Sequence, residues 1–95
     1  MNKCCEVVLS KFAQKQFKKL SVHIQKALRT WSTLIEEHGI WVMRRIPGYH
    51  DERLKGDRRG QRSSRLSRVY RVIYEEADSG EITIITVMEV NKHDY

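Results

Sequence analysis

The sequence predicts an α+β domain in which an N-terminal strand and a helical hairpin pack on an antiparallel β-sheet. Three observations lead there. Apolar residues recur at helical spacing between residues 12 and 35, and at strand spacing from residue 69 onward. The two kinds of pattern are segregated rather than alternating, which favours helices on one face of a sheet. The length, 95 residues, suits one domain, 1–95, with one modest core.

Taken in order, Glu6-Val7-Val8-Leu9 reads as a short opening strand. Ser10 then offers a helix N-cap, because a serine hydroxyl accepts from the otherwise unpaired first-turn N–H groups. Phe12, Ala13, Gln16, Phe17 and Leu20 form one stripe of the first helix. Ser21 is a second cap, and Ile24, Ala27, Leu28, Trp31, Leu34 and Ile35 continue the helical spacing to Gly39, expected to close the helix in the left-handed conformation. The break at Leu20-Ser21 makes the pair a hairpin. Trp31 belongs to the core stripe. Trp41 is expected to pack, with stacking on a base the less favoured use. From Ile46 to Gly60 the periodicity stops, and Pro47-Gly48, Gly56 and Gly60 mark a long charged connection. Arg65-Leu66-Ser67 leads into a strand, Val69 to Tyr74. Asp78-Ser79-Gly80 is a hairpin turn, and Ile82 to Val90 is the partner strand. Alternation puts Tyr70, Val72 and Tyr74 on one face and Val69, Arg71 and Ile73 on the other. A charge between apolar neighbours is expensive against the helices, so Arg71 is expected on the open face.

Charge is concentrated in the middle of the chain. The protein carries a net +6, but residues 1–40 contribute +4, residues 41–71 +7 and residues 72–95 −5. The cations of the central stretch are nearly all arginine, whose planar fork suits phosphate oxygens and stacks on bases. A polyanion, above all a nucleic acid, is the expected partner. A hydrophobic fraction of 40% still supports a folded core, which excludes global disorder. Cys4 and Cys5 are adjacent and unsuited to pairing with one another. No apolar run approaches a leader or a membrane span, so a reducing, cytoplasmic setting with no membrane partner is expected.

Cleaving RNA without a metal requires a base for the ribose 2′-OH, an acid for the leaving 5′-oxygen and cations for the phosphate. The second half of the chain holds all three: Glu52 as base, Arg71 with Arg65 or Lys55 as the phosphate clamp, and His93 as acid. His50, in the charged loop, is a candidate for substrate binding. His23 and His38 fall on or beside the second helix and read as packing or capping residues. A metal site from His50, Asp51 and His93 lacks the tight spacing of such sites, and no glycine-rich phosphate loop or nucleophile elbow is present.

The segments Glu52-Arg53-Leu54-Lys55-Gly56, Gly60-Gln61-Arg62-Ser63, Arg65-Leu66, Tyr70-Arg71-Val72-Ile73-Tyr74 and Glu89-Val90-Asn91-Lys92-His93-Asp94-Tyr95 resemble the RelE/ParE superfamily of type II toxins. The resemblance spans the chain, with its specific part in the C-terminal half. It implies a small toxin that enters the ribosomal A site and cuts messenger RNA there as an endoribonuclease. It also implies that no metal or organic cofactor is needed, and that a cognate antitoxin joins the toxin in a hetero-oligomer. It assigns Glu52 as general base, Arg71 as the contact to the scissile phosphate and His93 as general acid. Arg65 corresponds to an extra basic residue, and Tyr95 to an aromatic that touches substrate. Arg62, Arg68 and Lys92 join Arg65, Lys55 and His50 as expected RNA contacts. Asp94 separates His93 from Tyr95, where the tightest such pattern has the two adjacent. The alternatives are a gyrase-binding toxin of the ParE type, which does not depend on a C-terminal histidine, and a basic nucleic-acid-binding domain without activity.

Overall fold

A computed structural model describes residues 4–92. The elements run β1 (Cys5–Leu9), α1 (Lys11–Lys19), α2 (Val22–His38), α3 (Ile40–Arg45), β2 (Glu52–Arg53), β3 (Gln61–Arg65), β4 (Tyr70–Asp78) and β5 (Thr83–Lys92), with single 3-10 turns at Pro47–Tyr49 and Gly56–Arg58. The strands form one five-stranded sheet in the order β1-β5-β4-β3-β2. The predicted α+β architecture is present, with one correction. The sheet is mixed, because β1 pairs with β5 in parallel while the other pairs are antiparallel. The hairpin α1–α2 sits between β1 and the rest of the sheet in sequence, so the first strand is laid down alongside the last.

Local chemistry accounts for the helices. The Ser10 hydroxyl accepts from the Ala13 N–H at 3.1 Å, capping α1 as expected. Ser21 makes no such cap; its hydroxyl meets His23 Nδ1 at 3.2 Å. Gly39 has φ +94° and ψ 159°, outside the left-handed helical region expected of it but still in a conformation essentially reserved for glycine. The chain therefore stops one helix and immediately starts another, α3, which periodicity had not revealed. Phe12 departs from its assigned stripe and is largely exposed.

The core lies between the helices and one sheet face. Ala13, Leu28, Trp31, Ile35, Ile40 and Met43 meet Val72, Tyr74, Ile85, Val87 and Val90. Trp31 packs edge-on against Tyr74, with ring centroids 5.3 Å apart, and donates its indole N–H to Ser64 Oγ at 3.0 Å. That bond satisfies a polar group that burial would otherwise leave stranded. On the outer edge of the sheet, the Val7 N–H donates to Glu36 Oε2 of α2 at 2.9 Å, which occupies one edge-strand donor. Among the described residues no helix is long and apolar enough to cross a membrane.

Two irregularities position the site. The connection from Ile46 to Gly60 is not structureless: Glu52-Arg53 joins the sheet as edge strand β2, with Glu52 opposite Ser63. In β5 a bulge at Met88 falls between the pairs Tyr74–Val87 and Ile73–Glu89. An inserted residue shifts the alternation by one. Val90 therefore turns inward after Ile85 and Val87, and Glu89 and Asn91 share the outward face with Ile73 and Arg71.

Candidate active site

The site is built on the sheet face turned away from the helices. Arg71 stands there as alternation requires, opposite Arg65 on β3 and Asn91 on β5. One strand further out, on the same face, are Ser63 and then Glu52. The Arg71 guanidinium donates to Ser63 Oγ through Nε at 3.2 Å and through a terminal nitrogen as well. That same nitrogen, Nη2, donates to Glu52 Oε1 at 3.1 Å. The other oxygen of Glu52 lies 3.7 Å from His50 Nε2. The Glu52 side chain is about half exposed (49%), whereas that of Arg71 is 24% exposed. A carboxylate thus lies at the rim, within reach of two groups able to carry positive charge, over an arginine braced from below by a buried serine.

Asp51, between His50 and Glu52, points the opposite way. Its side chain is 1% exposed and accepts from Arg62 Nε at 2.7 Å and Nη2 at 2.6 Å. It also accepts the Tyr74 hydroxyl hydrogen, and Arg44 Nε approaches at 3.6 Å. Arg44 is itself paired with Glu76. Burial, followed by the hydrogen bond to Asp51, pushes the Tyr74 phenol well above its usual range, so this hydroxyl stays a donor. Burial works against the Arg44 charge, but hydrogen bonds to Glu76 and Tyr74 outweigh it and its pKa is raised. The network nails the loop to the core at Asp51 and leaves its neighbours His50 and Glu52 on the working face. His50 itself adopts φ +43° and ψ 52°, the left-handed turn that aims the chain into β2.

The sequence-predicted residues divide accordingly. Arg71, Glu52, Arg65 and His50 come together on or beside one face. Arg62 does not join them: it lies opposite Tyr74 on the helix side and is committed to Asp51. Lys92 pairs with Tyr70, also on the helix-facing alternation. Lys55 is exposed at the start of the 56–58 turn, and Arg68 is exposed beside a cavity of about 550 Å³ that Arg65 and Tyr49 also line. His93 and Tyr95 lie outside the described residues. His50 and Asp51 diverge, and among the described residues no cluster of three or more His, Cys, Asp or Glu could hold a metal.

Sequence reasoning missed Ser63, Asp51 and Arg58. Strand β3 reads Gln-Arg-Ser-Ser-Arg and has no apolar residue, so alternation gave no signal for it. Arg58 crosses from the loop to Glu89 beside the buried Ile73, so this face is less open than expected. Trp41, expected to pack, lies on α3 with 65% of its surface exposed.

No family model matches the sequence, and no curated protein matches it. Solved structures share its fold. The YoeB/ParE toxin from Agrobacterium tumefaciens aligns over 94% of this chain and 99% of its own, with 19% identity and a TM-score of 0.66. The archaeal RelE–RelB complex from Pyrococcus horikoshii aligns over 94% of each chain, with 20% identity and a TM-score of 0.71. The DinJ–YafQ toxin–antitoxin complex from E. coli aligns over 95% of this chain and 93% of its own, with 17% identity and a TM-score of 0.68. The chain has the RelE/ParE-like fold.

Proposed function

We propose that this chain is the toxin of a type II toxin–antitoxin pair and acts as a metal-independent endoribonuclease on ribosome-bound messenger RNA. The observation that carries the reading is the convergence of Glu52, Arg71 and Ser63, from three adjacent strands, on one arginine-flanked face. In the reaction Glu52 takes the proton of the ribose 2′-OH, and the 2′-oxygen attacks the neighbouring phosphorus. The bond to the 5′-oxygen breaks, and His93 protonates that oxygen as it leaves. The products are a 2′,3′-cyclic phosphate and a 5′-hydroxyl end. Arg71 donates to the non-bridging oxygens as their charge grows, which is worth most at a partly desolvated cation that needs no reorganisation. Ser63 fixes the guanidinium plane. In the free protein Glu52 occupies the Arg71 donor that the phosphate would take, so substrate binding exchanges one anion for another and releases the carboxylate toward the 2′-OH.

The partner follows from charge. A cationic face around reactive groups is complementary to an acidic chain, and the DinJ–YafQ neighbour is a toxin–antitoxin complex. We expect a cognate antitoxin to cover the same face.

The test is cleavage of a message on translating ribosomes, with the product ends mapped. Wild-type protein should yield 2′,3′-cyclic phosphate and 5′-hydroxyl ends, and His93→Ala should leave the message intact. Intact messages with the wild type, together with inhibited supercoiling by DNA gyrase, would replace this reading with the non-enzymatic one.

A further inference from the structure

A second cationic cavity, of about 650 Å³, opens between α3, β2 and the start of β3. Arg53 and Arg59 line it, and among the described residues neither side chain makes an ion pair or hydrogen bond. Trp41 forms another wall and is 65% exposed. One side of its ring is backed by the Arg44 guanidinium, 4.9 Å from the centroid, and Arg44 is anchored by Glu76 and the Tyr74 hydroxyl. An indole held in this way is a rigid stacking surface, and exposing so large an apolar ring is unfavourable unless something covers it.

We propose that this cavity is a second RNA subsite, where a base stacks on Trp41 and Arg53 and Arg59 hold the flanking phosphates. Uncommitted arginines beside a solvent-facing aromatic are the two parts of a single-strand platform, and stacking accepts any base. The position fits a strand that also reaches the candidate active site. Glu52 and Arg53 are neighbours on the two-residue edge strand β2, and neighbours in a strand point to opposite faces. RNA crossing this edge would touch Arg71 and Glu52 on one face and Arg53 and Trp41 on the other. The subsite rests on the reading of the protein as one that acts on RNA, but it concerns binding and not the cutting step.

The experiment titrates the full chain with a short single-stranded 2′-O-methyl RNA, which lacks the attacking hydroxyl, and follows tryptophan emission. Trp31 is fully buried, so quenching reports Trp41. RNA should quench the wild type. Trp41→Ala should lose the quenching and bind about five- to a hundredfold more weakly, while Trp41→Phe keeps most of the affinity. Arg53→Gln with Arg59→Gln should reduce the slope of log affinity against log salt by about 1.4. Unchanged affinity and salt slope in these variants would overturn the subsite, even if they still cut messages. Quenching by an acidic peptide that RNA cannot reproduce would also overturn it, in favour of a protein ligand. Trp41 quenched by RNA in a protein that cuts no message would support the subsite and refute the cleavage reading instead.

Discussion

At the scale of single residues, the geometry separates chemistry from support. In the proposed reaction Glu52 and Arg71 act directly, so Glu52→Gln should slow message cleavage by about 10²–10⁴-fold with little change in melting temperature. A single-turnover rate beside a thermal melt checks both halves, and an unchanged rate would remove Glu52 from the base role. Asp51 is the contrasting case. Its carboxylate is buried against Arg62, Tyr74 and Arg44, and removing one partner of such a network leaves uncompensated charge. Asp51→Ala should therefore destabilise the fold by about 3–5 kcal/mol in a denaturant titration. Tyr74 gives a pH signature. Its folded pKa is raised above the ordinary value of 10.0, so above that pH the unfolded chain releases a proton that the native state keeps. Its contribution is complete below pH 10 and is lost as pH rises further. Melting temperature should fall more steeply above pH 10 in the wild type than in Tyr74→Phe; identical alkaline profiles would contradict the assignment.

Among the elements, the most consequential are the irregular ones. The bulge at Met88 lets one strand serve two masters: Ile85 and Val87 fill the core, and Glu89 and Asn91 face outward beside Arg71. Deleting Met88 would remove the extra residue and leave a regular strand in which Glu89 still faces outward and Val90 still faces the core. That variant should keep cooperative unfolding, as monitored by near-ultraviolet circular dichroism, and a loss of cooperativity would contradict this reading of the bulge. These elements also mark the limit of what the sequence reveals. Strands β4 and β5 and helices α1 and α2 were legible because their apolar residues repeat at the period of the element. Strand β3 was not, because its polar residues become a strand only beside β4. The bulge was equally silent, since Ile84, Met88 and Val90 make an apolar face in one phase and Ile85 and Val87 in the other until the partner strand fixes the register. Helix α3 hid behind Gly39, a residue that reads as a stop and here serves as a joint.

For the whole molecule, charge and fold divide the surface. Arg71 could be placed on the open face from alternation alone, and Glu52 could be nominated from its type. Their contact, 3.1 Å across two strand spacings, could not be read, because it depends on the loop becoming β2. The arginine-rich stretch also splits on folding. Arg71 and Arg65 share one face, Arg62 is spent on Asp51, Arg58 on Glu89, and Arg53 and Arg59 gather at the Trp41 cavity. A net of +7 in the sequence from 41 to 71 therefore overstates the cations free to meet phosphate. The central claim is that the sheet face bearing Arg71 is where RNA is cut. The most direct test compares wild-type protein with Arg71→Ala in single-turnover cleavage of a ribosome-bound message, with ribosome binding measured in parallel. Arg71→Ala should bind ribosomes at near wild-type affinity and cut at least about a hundredfold more slowly. Cleavage at the wild-type rate by the bound variant would contradict the account.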